Sequence, residues 1–278
     1  MRRVIISADD FGLSETINEA VEQAHTKGLL TTASLMVGGA AAADAVARAR
    51  RLPNLRVGLH LVVIEGPAIL SHAQIPALVG EDGQFPSDQA AFGFRAAFRA
   101  DVRAQLQREI AAQFAAFAAT GLALDHANAH KHMHLHPVVG RLLIAAGLRH
   151  GLRAIRIPSE PAAPLAAVDG TRGTLAAAAL RRWTLVLRAQ ARQAGLRTNA
   201  SCFGLAWSGA MTSTRVRALA THLPPGLSEI YFHPATTRDD LLTRLMPDYH
   251  HHSELAALCD PEFRQALKRS DTALATWT

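Results

Sequence analysis

Short apolar runs recur along the chain, each followed by a longer, often Ala-rich stretch of helical spacing, and this alternation predicts successive β/α units. Arg3 to Ala8 reads as a buried strand. Ser14-Glu15-Thr16-Ile17 then opens a helix, with Ser14 as N-cap and Gly28 just past its end. Further strands are expected at Thr32 to Val37, Leu55 to Leu61, Leu122 to Ala127, Ala154 to Ile157, Asn199 to Phe203 and Ser228 to Phe232. About seven units result. The fold class is therefore α/β, as a closed parallel (β/α) barrel, since no Gly-x-Gly-x-x-Gly turn follows the first strand to signal a doubly wound sheet. An open sheet stays as the alternative.

The whole chain, residues 1–278, reads as one domain, because 278 residues that are 49% hydrophobic suffice for a single barrel core. Residues 62–100 interrupt the alternation. Pro67, Pro76, Gly80, Gly83 and Pro86 break this stretch into turns, so it is expected to be an insertion over the barrel mouth.

Composition narrows the setting. No uninterrupted apolar run reaches the roughly 18 residues of a membrane span, and the N-terminus passes from basic to acidic too soon for a signal peptide. Cys202 and Cys259 are the only cysteines and form no Cys-x-x-Cys pair, so a cytoplasmic setting is expected. The formal charge of +6 favours acidic partners, although the Ala and Arg enrichment behind it equally fits base composition. Phe92, Phe94 and Phe98 among Arg95, Arg99 and Arg103, and Trp183, Val186 and Leu187 among Arg181, Arg182 and Arg188, read either as packed amphipathic helices or as membrane-surface helices.

The candidate chemistry lies at strand ends. Asp9 and Asp10 close the first strand before Phe11-Gly12, where a barrel has its mouth; they read either as an Asx-type turn or as a carboxylate pair held by a cation. His60 ends the third strand in Val57-Gly58-Leu59-His60-Leu61, where Gly58 permits close backbone approach; the imidazole is a structural group or a ligand. After the fourth strand comes Asn128-Ala129-His130-Lys131-His132-Met133-His134-Leu135-His136. In an extended segment its four histidines would face one way, although one metal ion takes only one or two of them. His233-Pro234 after the last strand is a turn or a proton donor, and His250-His251-His252 reads as surface.

These residues resemble a known family. Ala8-Asp9-Asp10-Phe11-Gly12-Leu13-Ser14, Gly58-Leu59-His60 and His130-x-His132-x-His134 are similar in order and spacing to the YdjC-like carbohydrate deacetylases. Asp125 to His132 and Glu229 to Thr236 look closest to the hopanoid-biosynthesis-associated branch. The resemblance implies a distorted (β/α) barrel of the polysaccharide-deacetylase type and metal-dependent hydrolysis of N-acetyl groups on amino sugars. It also implies a divalent ion, Mg or Zn, held by Asp10, His60 and His130. Asp9 would be the general base and His233 the acid, with Phe11, Asn128, His132 and His134 assigned to the substrate.

One departure is visible: many relatives carry Asp where this chain has Asn128. The expected partners are an acetylated amino sugar or glycolipid, with peripheral contact at the inner face of the membrane and a homodimer as further expectations, and no nucleic acid.

Three other readings are open. An amidohydrolase or phosphoesterase would be expected to end its first strand in His-x-His rather than Asp-Asp. A glycoside hydrolase needs its carboxylates on different strands. A non-catalytic binding module could retain the metal centre and use the basic helices to hold lipid or nucleic acid.

Overall fold

The computed structural model describes residues 1–171 and 175–278, without the side chains of 175–179. The first half comprises β1 (Arg2–Phe11), α1 (Glu15–Lys27), β2 (Thr32–Leu35), α2 (Ala42–Arg51), β3 (Arg56–Leu61), α3 (Gln89–Phe98), α4 (Ala100–Ala119) and β4 (Leu124–Ala129). A tight 3-10 segment, His130–Leu135, leads into α5 (Pro137–Arg149), β5 (Ala154–Ile155), α6 (Ala162–Asp169) and α7 (Leu175–Gln193). The chain continues with β6 (Arg197–Thr198), β7 (Ser201–Phe203), α8 (Ser213–His222), β8 (Gly226–Phe232), α9 (Asp240–Leu245), α10 (His251–Leu258), α11 (Pro261–Arg269) and β9 (Thr272–Leu274).

All the strands pair in parallel, in the order β6-β5-β4-β3-β2-β1-β8-β7, with β9 on β1. Strand β1 is ten residues long and the short β2 covers only Ser7 to Phe11 of its edge, which leaves Arg2 to Val4 for β9. The helices return the chain between strands, as parallel pairing requires.

Helix α1 illustrates the local logic. The Ser14 side chain accepts the Ile17 amide, and Ile17, Ala20, Val21 and Ala24, spaced for one helix face, bury against the sheet. At the strand end, Gly12 has φ +94°, and a Cβ there would meet the Met36 carbonyl at 2.9 Å, so only glycine makes this turn without strain.

The expected strand Asn199 to Phe203 is corrected to two shorter ones. β6 pairs with β5 and β7 pairs with β8, and no backbone ladder joins β6 to β7 among the described residues. Asn199 bridges the break: its Oδ1 accepts from Ile157 N at 2.7 Å, and its Nδ2 donates to Ile157 O and Ser201 O, both at 2.8 Å. This side-chain amide, with one backbone bond from Cys202 N to Ser159 O at 2.9 Å, thus ties the two unpaired edges of the curled sheet.

Residues 62–88 form turns before α3, tied by a bridge between Pro67 and Gln84. Buried Glu109 on α4 fixes this segment by accepting the Ile69 and Leu70 amides, each at 2.9 Å.

Candidate metal centre

Strand β1 ends with two adjacent carboxylates aimed at different neighbours, because Asp10 takes a left-handed φ of 62°. Asp10 is 1% exposed, and neither of its oxygens has a hydrogen-bond partner. Its Oδ1 lies 3.3 Å from His60 Nε2 and 3.3 Å from His130 Nδ1. The two imidazoles come from the ends of β3 and β4, which are hydrogen-bonded neighbours, with His60 paired to Asn128.

Asn128 settles what His60 presents to Asp10. The Asn128 Nδ2 group donates to Asp9 Oδ1 at 3.1 Å and to Ser34 Oγ at 3.0 Å, so its Oδ1 faces His60 Nδ1 at 2.8 Å. The reverse amide orientation would set a carbonyl oxygen against a carboxylate. His60 therefore carries its proton on Nδ1, and in the neutral ring a bare Nε2 lone pair faces the carboxylate, an arrangement stable only with a cation or proton between them. Burial lowers the His60 imidazole, but Asp9 and Asp10 outweigh it and raise it overall.

A divalent ion fits this set. One carboxylate and two imidazoles offer atoms within 4.8 Å of one another. Donors about 2.1 Å from a tetrahedral ion stand about 3.4 Å apart, close to the two separations at Asp10. Two imidazoles with a single carboxylate would leave such an ion net positive.

Asp9 turns the other way, into a buried ion cluster. Arg156, with no exposed surface, donates to Asp9 at 2.5 and 2.9 Å and to Glu229 at 2.9 and 2.7 Å. Burial pushes the Asp9 carboxyl up, but the guanidinium outweighs it and holds the group far below the usual carboxylate range. Asp9, Asp10 and Glu229 against one arginine leave an excess of two negative charges, which a divalent cation would neutralise.

The carboxylates and imidazoles face a cavity of about 510 Å³ whose wall includes Asp9, Asp10, His60, His130, His132 and His233. The His233 main chain is gripped by α10: its amide donates to Glu254 Oε2 at 2.5 Å, and its carbonyl accepts from His251 Nδ1 at 2.7 Å. Burial lowers the His233 imidazole against the attraction of Asp10 and Asp9. Residues 65–67 of the insertion join the wall, and Glu65 forms an ion pair with Lys131 across it. Asp10, Glu65, Lys131 and His132 all have positive φ, so among the described residues four of the five non-glycine ones in that region border this cavity. Such strain gathers at functional sites.

Several expectations change. The histidine tract is not extended: Lys131 and His132 are left-handed, and the four rings diverge. His132 reaches the cavity and contacts the Tyr231 hydroxyl at 3.1 Å. His134 does not reach it; fully buried, it bonds the Arg156 carbonyl at 3.0 Å. Phe11, also without exposed surface, belongs to the apolar core, and Asn128 sits behind the wall as the partner of His60. The expected substrate contacts of these three are corrected to packing and support. His251 is 3% exposed rather than on the surface, because its ring holds the His233 carbonyl. Arg156, Glu229 and Glu254 were not anticipated; a lone charge within the apolar runs at residues 154–157 and 228–232 was the available signal for the first two.

Among known proteins, residues 3–269 match the family described as YdjC-like protein. A carbohydrate deacetylase of Vibrio vulnificus (strain CMCP6) is 42% identical over 83 residues, 30% of this chain and 32% of that protein. A carbohydrate deacetylase of Geobacillus stearothermophilus is 40% identical over 85 residues, 31% and 34% of the two. The matched stretch thus spans about a third of the length of these curated relatives. A solved structure from Enterococcus faecalis V583, provisionally assigned to cellobiose-phosphate cleavage, superposes with a TM-score of 0.78 at 21% identity, covering 99% of this chain and 97% of that one. That likeness bears on the fold alone.

Proposed function

The chain belongs to the YdjC-like family, and from that premise we propose that it is a metal-dependent carbohydrate deacetylase, hydrolysing the N-acetyl group of an amino sugar. The observation that carries this reading is the buried Asp10 carboxylate, unpartnered and facing two imidazoles, in the same cavity as Asp9 and His233.

Asp10, His60 and His130 would hold the ion, which when bound polarises the acetyl carbonyl and acidifies a water. Asp9, kept ionised by Arg156, would orient a water and take its proton on Oδ2, which accepts only from Arg156, whereas Oδ1 already accepts from both Arg156 and Asn128. His233 protonates the departing amine. Only the protonated ring can do this, and because burial lowers its pKa that fraction falls as pH rises toward 7; Glu254 with His251 fixes where the ring stands. The products are acetate and a free amino sugar.

The preferred substrate is lipid-linked, as in the hopanoid-associated branch that the sequence resembles. The support is a second chamber of about 350 Å³ that shares Lys131, His132 and Leu180 with the first and is otherwise lined mainly by apolar groups, including Met133, Leu135 and Trp183. A sugar in the first chamber would project its aglycone into the second. Phe94 and Phe98, 66% and 72% exposed on α3, and Trp183, 43% exposed on α7, offer a face for peripheral membrane contact. No helix among the described residues is long and apolar enough to cross a membrane.

The test is acetate release from an N-acetylglucosaminyl lipid and from soluble chitooligosaccharides, after chelation and after metal is restored. The reading requires activity lost on chelation and regained with metal, and an Asp9→Asn variant that keeps the ion but not turnover. Full activity in chelator would sink the metal mechanism. Equal kcat/KM on the two substrates would remove the lipid-linked preference and leave the soluble one.

A further inference from the structure

The proton on His60 Nδ1 is fixed by more than Asn128. Asn128 gives both amide protons away, one to Asp9 and one to Ser34 Oγ at 3.0 Å. Ser34 therefore receives a hydrogen bond and must send its own hydroxyl proton elsewhere. Among the described residues its other partner is His126 Nε2, at 3.0 Å. That nitrogen must accept, which leaves the His126 proton on Nδ1, where Asp125 Oδ2 stands at 3.2 Å.

Every link then runs in one direction. His126 donates to Asp125, Ser34 to His126, Asn128 to Ser34, and His60 to Asn128. Ser34, His126 and Asn128 have no exposed surface, Asp125 is 4% exposed and His60 2%, so water does not compete for these bonds.

The far end is secured as firmly as the near one. Asp125 Oδ1 accepts from the Thr278 hydroxyl at 2.8 Å, and Trp277, 1% exposed, stacks on the His126 ring with centroids 5.3 Å apart. From the other side the backbone of β3 presses on His126: a Cβ on Gly58 would lie 2.3 Å from its Nδ1. The ring has no room to flip.

We infer that Asp125, His126 and Ser34 are positioning residues that fix His60 as its Nδ1–H tautomer through a directional hydrogen-bond chain, so that its Nε2 lone pair is presented to a divalent ion. The negative end of the chain is Asp125, four groups away from the imidazole it polarises. This rests on the metal-centre reading and adds a control of affinity that the ligand set alone does not contain. Partners of ligating histidines of this kind alter metal affinity by about 10- to 100-fold.

The experiment uses the full chain freed of metal by chelation and titrated with Co2+ by calorimetry. Ser34→Ala cuts the chain at its middle with little change in volume and should raise the Co2+ Kd by about 10- to 100-fold, with the thermal midpoint of the apoprotein reporting that the fold survives. Asp125→Asn keeps the shape but removes the charged end, and should raise the Kd in the same direction by a smaller factor. Long-range proton–nitrogen NMR of the apoprotein, at a pH high enough to leave the His60 ring neutral, should find it protonated on Nδ1 in the wild type and mixed between tautomers in Ser34→Ala. A purely steric support would leave both the Asp125→Asn affinity and the tautomer as in the wild type. Unchanged Kd values in the folded variants, with the wild type binding Co2+, overturn the chain alone. A wild type that takes up no Co2+ overturns the metal centre as well.

Discussion

Replacing Arg156 by Met would strip the buried ion cluster of its only cation while keeping a side chain of similar reach. Arg156 makes four bonds of 2.5 to 2.9 Å to Asp9 and Glu229 and a fifth, at 3.2 Å, to Ser7 Oγ. The substitution leaves two carboxylates, 2% and 0% exposed, with no guanidinium beside them. Breaking a buried pair in this way costs about 3–5 kcal/mol, a large part of the roughly 5–15 kcal/mol that holds a domain together.

The sign of the pH dependence follows from Asp9. In the wild type its folded pKa is depressed, so the stability it contributes is present above the ordinary value of 3.8 and lost as the medium becomes more acid than that. In Arg156→Met burial, the largest influence on Asp9, is opposed only by His60, His233 and the Asn128 amide, so the carboxyl should rise and the variant gain stability as pH falls from 7 toward about 4. Urea unfolding of the chelated proteins at several pH values measures both quantities. Adding Glu229→Gln should recover about 1–3 kcal/mol relative to the sum of the single changes. A loss under about 1 kcal/mol at pH 7, or a gap that does not narrow in acid, would refute the account of the cluster.

Other outcomes follow from the same structure. Asp10→Asn removes the only carboxylate of the ligand set and should weaken Co2+ binding at least 100-fold by calorimetry, an expected order of magnitude for a lost ligand of about 3 kcal/mol. Burial raises Glu254 from an ordinary 4.5 to about 7, so the protein should lose stability as pH rises through that window. Glu254→Gln should flatten the loss, which approaches about 3 kcal/mol at most, in urea titrations between pH 4.5 and 7.5. The same variant should lower kcat without moving Co2+ affinity, because one amide oxygen cannot replace a carboxylate serving both Met211 N and His233 N. Gly58→Ala should cost about 1–3 kcal/mol by thermal unfolding, since its Cβ collides with the His126 ring. His233→Gln should reduce turnover about 100-fold or more while leaving metal uptake intact, as measured by acetate release and calorimetry on one preparation.

Local signals made much of the fold readable in advance. Ser14 and Gly28 bracket α1 as expected, because capping is decided within a few residues of the helix end. Asp9, Asp10, His60 and His130 could be placed at one mouth because consecutive parallel strands deliver their ends to the same side. What escaped was set by non-local geometry. The period-two spacing of the histidine tract was misleading because two left-handed residues, Lys131 and His132, break the alternation that would have aligned its rings. Glu254 comes from a helix far along the chain, and nothing in its own neighbourhood reveals that it meets the His233 amide. Arg156 and Glu229 were readable only as charges stranded in apolar runs, and which partners they would find depended on the curl of the sheet.

That curl ends at Asn199, and the join has a mechanical meaning. Elsewhere two staves are held by a ladder of backbone bonds, whereas here the join is the Asn199 side-chain amide and one backbone bond, Cys202 N to Ser159 O at 2.9 Å. A side-chain pin, together with that one backbone bond, therefore fastens the circumference. Beyond the pin, the Gly204, Leu205 and Ala206 amides all hang on the Glu160 carboxylate at 2.8 to 3.1 Å, and Leu205 borders the main cavity. The rim beside the main cavity is thus held by two side-chain clips, Asn199 and Glu160, and one backbone bond rather than by a strand ladder.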